Sequence, residues 1–137
     1  MIIDSSVGSK WILKGEPYEK EANLLLDLHL GGTDKITVPD LFFYEIANTF
    51  STKTSFDKRM IEDSLSVINK AQLHVYHPQE SEILQSALLA KEYKLSVYDM
   101  LYAVIAKKLD TLLITADARF VKKTKLPHVK LLSEYSA

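Results

Sequence analysis

Short runs of Val, Ile and Leu alternate with helical patterns along the chain, and this alternation limits the possible folds more than any other feature. Five runs predict β-strands, at residues 1–3, 35–38, 73–76, 112–115 and 129–132. Strands of this composition separated by helices are typical of a mainly parallel sheet covered on both faces. The sequence therefore predicts an α/β three-layer sandwich with about five strands.

Helical patterns fill the segments between these strands. The predicted helices are residues 5–11, 18–30, 41–53, 57–70, 80–93, 97–109 and 118–122. The helix at 97–109 is apolar almost all round, which predicts that it is buried. The helix at 80–93 has one apolar side, formed by Ile83, Leu84, Ala87, Leu88 and Ala90.

The composition is that of a soluble globular protein, with 47% hydrophobic and 26% charged residues. Residues 1–137 are expected to form a single domain. The chain has no cysteine, which excludes disulfides, thiolate catalysis and cysteine zinc sites. We find neither a membrane-spanning run nor a signal peptide, so a cytoplasmic protein without a membrane partner is expected. The net charge of −1 indicates no global nucleic-acid footprint.

Four acidic residues stand where an apolar stretch ends or is interrupted. Asp4 and Asp117 follow the first and fourth predicted strands, while Glu45 and Asp99 lie in the first turns of predicted helices. Sites in parallel α/β sheets form beyond the carboxyl ends of the strands, so we expect the four side chains to converge there. A carboxylate beside an apolar surface is costly unless a cation or hydrogen bonds compensate its charge. A hard divalent ion such as Mg²⁺ or Mn²⁺ would compensate four converging carboxylates.

Each acidic residue also has a purely structural interpretation. Asp4 and Asp117 could N-cap the helices that follow them. Asp99 forms a possible capping box with Ser96. Glu45 is harder to explain in this way, because it lies within a helix among large apolar side chains. A solvated polar stripe, continued by Asn48, Thr49 and Thr52, is the simplest alternative there.

Four short motifs surround the acidic residues and occur in a specific order. They are IIDSSV at residues 2–7 followed by Lys10-Trp11, PDL at 39–41 leading into YEIAN at 44–48, LSVYDMLYA at 95–103, and LITAD at 113–117. Together these motifs resemble the PIN-domain nucleases, and most closely the VapC-type toxins of toxin–antitoxin pairs. The resemblance covers essentially the whole chain.

The resemblance implies a PIN-like fold and a metal-dependent endoribonuclease that hydrolyses RNA phosphodiester bonds. Asp4, Glu45, Asp99 and Asp117 match the acidic quartet that holds one or two Mg²⁺ or Mn²⁺ ions in that family. Ser6 and Thr115 match hydroxyl positions that support the carboxylates, and Asn48 matches a polar position one turn after the glutamate. The implied partners are an RNA substrate, a small antitoxin protein and a second copy of the chain in a homodimer.

The remaining aromatic and basic residues are interpreted as structural. Phe42, Phe43 and Tyr44 are expected in the core or at a dimer surface rather than as platforms for base stacking. The basic residues that follow, Lys53, Lys58 and Arg59, could contact phosphate, but a solvated helix surface is the favoured interpretation of each one.

Several other functions fit parts of the pattern. A PIN-like module that binds RNA or protein without cutting is the main alternative. A phosphoacceptor receiver domain would need an aspartate after the third strand, where residues 75–78 read VYHP. A haloacid-type phosphatase would need an aspartate two residues after Asp4, where Ser6 stands. The four glycines form neither a P-loop nor a dinucleotide-binding turn.

Overall fold

A five-stranded sheet lies at the centre of the computed structural model, which describes residues 1–135. The strands are β1 (Ile2–Ile3), β2 (Thr37–Pro39), β3 (His74–Tyr76), β4 (Leu113–Thr115) and β5 (Val129–Leu131). Their order in the sheet is β3-β2-β1-β4-β5, and every neighbouring pair is parallel. This confirms the predicted α/β class with a parallel sheet. The last two residues of the predicted domain, 136 and 137, lie outside the described residues.

Seven α-helices connect the strands within residues 1–135. They are α1 (Ser5–Gly8), α2 (Glu19–Leu30), α3 (Leu41–Thr52), α4 (Lys58–Lys70), α5 (Glu80–Tyr93), α6 (Val97–Lys108) and α7 (Ala118–Thr124). The helix predicted at 5–11 ends early, because Ser9–Trp11 tightens into a 3₁₀ turn. A second 3₁₀ turn, Leu132–Glu134, ends β5 one residue before the predicted boundary. Among these helices none is both long and apolar enough to cross a bilayer.

The core is built on β1 and α6. Both residues of β1 are fully buried, as expected for the central strand of a sheet covered on two faces. The predicted burial of α6 is confirmed, since six of its residues are buried: Met100, Tyr102, Ala103, Val104, Ile105 and Ala106. At Gly8, helices α1 and α3 approach so closely that a Cβ atom would lie 2.4 Å from the Phe42 ring.

The apolar side of α5 is not its buried side. Ile83, Leu84 and Leu88 are 50%, 59% and 62% exposed, whereas Glu82 and Ser86 are buried with Ala90. Small and polar residues can be buried here because their hydrogen bonds are made locally. The Glu82 carboxylate accepts from the Tyr76 hydroxyl and the backbone N–H of residue 79, and Ser86 donates to the Glu82 carbonyl. An exposed apolar face therefore remains on α5.

Candidate active site

The order of the strands creates one position where the chain changes direction across the sheet. After β1 the chain builds β2 and β3 on one side, and it then crosses to build β4 and β5 on the other. Ligand sites of open parallel sheets form at such a switch point, outside the carboxyl ends of the strands. Because Ile3 pairs with Ile114, the residues that follow β1 and end β4 are neighbours there.

Both oxygens of the Asp4 carboxylate accept hydrogen bonds at this switch point. Oδ1 accepts from the Ser6 hydroxyl and from the Ser6 N–H at 3.0 Å, and Oδ2 accepts from the Thr115 hydroxyl. Each hydroxyl also accepts a backbone N–H at 3.0 Å, Ser6 from Ala116 and Thr115 from Asp117. The two hydroxyls therefore hold Asp4 in one orientation and connect the end of β1 to the end of β4. Asp4 also N-caps α1 through the Ser6 N–H.

Glu45 is held by a residue that sequence analysis did not single out. The Tyr102 hydroxyl donates to Glu45 Oε1 at 2.6 Å, joining α6 to α3. The Tyr102 side chain is 1% exposed, and burial together with the negative charges of Glu45, Asp4 and Asp99 raises the pKa of its phenol. The available signal was the spacing: Tyr102 lies three residues after Asp99, one turn along the same helix.

The electrostatic environment couples three of the four predicted carboxylates. Burial raises the pKa of Asp4 to about 6, the hydrogen bonds from Ser6 and Thr115 oppose this, and the negative charge of Asp99 adds to it. Burial also raises the pKa of Glu45, and Asp99 again contributes. The negative charge of Asp99 therefore acts on both Asp4 and Glu45, although the three residues come from separate segments. Strong perturbation of neighbouring acids is typical of functional sites.

The carboxylate of Asp117 has a different local role. Its Oδ1 accepts the Phe120 N–H at 3.0 Å and so N-caps α7, while its own N–H donates to Thr115. At Asp99 the backbone N–H donates to the Ser96 hydroxyl, which leaves the carboxylate out of that cap bond. The capping interpretations of Asp4 and Asp117 are therefore correct as local structure. The role of all four residues as metal ligands stays a prediction.

The donor chemistry fits a hard divalent cation, but it does not form a closed cage. Within residues 1–135, no group of three or more acidic or histidine side chains is arranged closely enough to hold an ion. Mg²⁺ does not require such a cage, because it keeps several waters and is often bound through one or two carboxylates plus substrate phosphates. The carboxylates at the switch point supply donors of that kind.

A cavity of about 260 Å³ opens beside Glu45. It is lined by Ser5, Leu41, Tyr44, Glu45, Asn48, Thr49, Lys53 and Tyr98. Asn48 therefore lies beside the glutamate, as its helical spacing predicts. Phe42 is fully buried, as expected, whereas Tyr44 is 66% exposed, so of the two positions predicted for it only a surface position remains. The tyrosine points to the outside because it follows the buried Phe42 by two positions on α3.

Comparisons with known proteins agree with this geometry. The family model of the PIN domain matches residues 1–126. A toxin–antitoxin complex from Klebsiella pneumoniae has a TM-score of 0.69 at 16% identity, covering 99% of this chain and 98% of that chain. The VapBC2 complex from Rickettsia felis, bound to a DNA fragment from its promoter, has a TM-score of 0.71 at 16% identity. The match covers 95% of this chain and 96% of that chain.

A third solved structure has the same fold. VapC20 from Mycobacterium tuberculosis, a sarcin-ricin loop cleaving toxin, has a TM-score of 0.67 at 12% identity, covering 90% of this chain and 94% of that chain. No protein of curated function matches the sequence significantly. The structural likenesses show the fold, and the family model spans nearly the whole chain. The predicted resemblance is thus confirmed: the chain belongs to the PIN domain family.

Proposed function

We propose that this protein is a metal-dependent endoribonuclease that hydrolyses RNA phosphodiester bonds, and that it is the toxin of a type II toxin–antitoxin pair. One observation carries the proposal. Asp4, Glu45 and Asp99 come from three segments, and the negative charge of Asp99 acts on both Asp4 and Glu45 near the switch point of the sheet. Hydroxyl groups orient two of them, Asp4 through Ser6 and Glu45 through Tyr102.

The acidic residues would hold Mg²⁺ or Mn²⁺, with Asp117 as the fourth member of the set. When bound, such an ion activates water for hydrolysis and neutralises charge on the scissile phosphate. The Ser6 and Thr115 hydroxyls keep both oxygens of Asp4 aimed in fixed directions, so the carboxylate is oriented before an ion arrives. Because burial raises the pKa of Asp4, ion binding at neutral pH is expected to release a proton from part of the population.

The toxin role is supported by the similar structures. The Klebsiella pneumoniae protein is a toxin–antitoxin complex, and the Mycobacterium tuberculosis protein cleaves the sarcin-ricin loop. We propose by analogy an RNA substrate and a small antitoxin partner for this chain. Induced expression in a bacterial host should arrest growth, and expression of Asp99→Asn should not. Equal growth of the two strains at equal protein levels would remove the support for a toxin.

We propose that the protein is a homodimer and that the exposed face of α5 contributes to the contact. Ile83, Leu84 and Leu88 are each at least half exposed, and a contiguous apolar face of this kind is typical of an interaction surface. Light scattering should show a dimer that Leu84→Glu combined with Leu88→Glu converts to a monomer. Leu30→Glu, which changes a leucine 60% exposed on α2, is the matched control.

The nuclease proposal is tested by cleavage of end-labelled structured RNAs with Mg²⁺, with Mn²⁺ and with EDTA. We expect cleavage that requires the ion and that Asp99→Asn abolishes. The matched control is Asp63→Asn, which changes a 74% exposed aspartate side chain on α4. Cleavage by Asp99→Asn at the wild-type rate would contradict the assigned site.

A second candidate function is supported by one observation. Within residues 1–135, no group of three side chains is already arranged to bind a metal ion. This is the arrangement expected of a PIN-like module that binds RNA or protein without cutting it. Calorimetric titration with Mn²⁺ separates the two functions. Binding that Asp4→Asn and Asp99→Asn each weaken favours the nuclease, whereas no binding at millimolar Mn²⁺ favours the non-catalytic module.

A further inference from the structure

We infer that the cavity beside Glu45 is a subsite for one unpaired nucleobase, with Tyr44 and Tyr98 as its stacking surfaces and Lys53 as its contact to the backbone phosphate. This inference deepens the proposed function and rests on it. It names residues that select the form of the RNA and that take no part in the chemical step.

The two tyrosines occupy equivalent positions relative to the acidic residues. Tyr44 directly precedes Glu45 on α3, and Tyr98 directly precedes Asp99 on α6. Both line the same cavity, although they come from different helices. They are 66% and 61% exposed, which leaves most of each ring free to contact a ligand.

Within residues 1–135, neither tyrosine ring pairs with another aromatic ring. The Tyr44 hydroxyl lies 3.5 Å from Asp40 Oδ2, at the limit of a hydrogen bond. Exposed aromatic rings in a concave site are suited to stacking on bases, which present a flat face whatever their sequence. A base in a duplex is already stacked and paired, so only an unpaired nucleotide can use these rings.

The charges around the cavity fit a phosphodiester chain. Lys53 is the C-cap residue of α3 and lines the cavity, and its positive charge opposes the rise in the pKa of Glu45 that burial causes. Across residues 1–135, Lys53 forms no ion pair, so its ammonium group is available to a phosphate. The other charged residue of the lining is Glu45, which lies next to the proposed catalytic carboxylates.

The cavity is a small cleft open to solvent, with a volume of about 260 Å³. A single planar ring suits this volume better than a helix of a partner protein. The cavity is therefore assigned to one base. In this arrangement the RNA backbone runs past Lys53 on one side of the base and past the carboxylates on the other.

The test is binding without cleavage, so that it does not depend on catalysis. Fluorescence anisotropy with a labelled single-stranded RNA of about 12 nucleotides, in EDTA, measures affinity over a series of salt concentrations. We expect Tyr44→Ala and Tyr98→Ala each to weaken binding at least about fivefold. This factor corresponds to the lower end of the range measured for stacking of one base on an aromatic side chain. Phenylalanine at either position should retain the affinity, because the ring performs the stacking.

Salt dependence distinguishes the lysine from the tyrosines. A plot of the logarithm of the association constant against the logarithm of the salt concentration falls for the wild type. Lys53→Ala should make this plot less steep by about 0.7, the value for one phosphate contact to a single strand. The tyrosine variants should leave that slope unchanged. Tyr18→Ala is the matched control, because Tyr18 is 50% exposed and lines a different cavity. The same RNA in duplex form should bind more weakly to the wild type and should not respond to the tyrosine variants.

Each alternative outcome overturns the inference in a recognisable way. If the wild type binds and cuts RNA but Tyr44→Ala and Tyr98→Ala bind as well as Tyr18→Ala, the subsite is wrong while the proposed nuclease stands. If the wild type binds no RNA and cuts none, both fail together. If the tyrosine variants instead change the oligomeric state in light scattering, the cavity is a contact between protein chains.

Discussion

Replacing Asp4 by asparagine measures what the ionised carboxylate costs the fold. Burial raises the pKa of Asp4 from 3.8 to about 6, so between these values the folded protein holds a proton that the unfolded chain has lost. The free energy of unfolding therefore falls as the pH rises through this window and stays low above it. A shift of about two units corresponds to a loss of about 3 kcal/mol.

Asparagine is neutral at every pH and is close in shape to aspartate. Its side-chain oxygen can still accept from Ser6, but its NH₂ group faces the Thr115 hydroxyl, which must turn to accept instead of donating. That rearrangement costs about 1 kcal/mol and does not depend on pH. Relative to the wild type, Asp4→Asn should therefore become more stable by about 2–3 kcal/mol between about pH 4 and about pH 8.

Urea unfolding in the presence of EDTA, at both pH values, measures this difference directly. Asp57→Asn is the matched control, because Asp57 also N-caps a helix, through the Met60 N–H, but in an exposed position. The comparison separates burial from the general effect of removing a carboxylate at a cap. If the stability difference between Asp4→Asn and the wild type is the same at both pH values, the argument from burial is refuted.

Three further substitutions test individual contacts. Tyr102→Phe removes the hydroxyl that donates to Glu45 and should lower the free energy of unfolding, measured by urea denaturation, by about 1–3 kcal/mol. The same substitution should weaken Mn²⁺ binding measured by calorimetry. His29→Phe should cost about 1–3 kcal/mol in urea, because one ring nitrogen accepts a backbone N–H and the other donates to a carbonyl; an unchanged urea midpoint would show that water replaces both bonds. Gly8→Ala should lower the thermal midpoint, at a cost of about 1–3 kcal/mol from overpacking against Phe42. A wild-type midpoint would mean that α3 can move away.

The fold was predictable to the extent that local patterns carry it. The central strands β1 and β4 are buried on both faces and read as continuous apolar runs, which makes them easy to predict. All five strands were found within two residues of their observed bounds, including the largely exposed edge strand β3. The buried face of α5 was not predictable. Ile83, Leu84 and Leu88 of that helix remain exposed, and the buried Glu82 is stabilised by the hydroxyl of Tyr76, a contact that the sequence pattern does not reveal.

The candidate site was predictable only in part, for a related reason. Asp4 and Asp117 were identified because a carboxylate within two residues of the end of a buried strand stands out in the sequence. Tyr102 was missed because a tyrosine in an apolar helix is ordinary core composition. Its hydrogen bond to Glu45 joins residues 57 positions apart, a separation at which no local spacing rule applies.

The amino-acid pattern alone specifies alternating strands and helices, and it places Asp99 correctly in the first turn of a helix, because periodicity and capping act within a few residues. Glu45 was also predicted in a first turn, but it lies in the second turn of α3. The pattern does not specify which strands are neighbours. The order β3-β2-β1-β4-β5 brings Asp4 beside Thr115, and the packing of α6 against the rest of the core brings Tyr102 to Glu45. These pairings arise when distant segments exclude water together, so they exist only in the assembled tertiary structure.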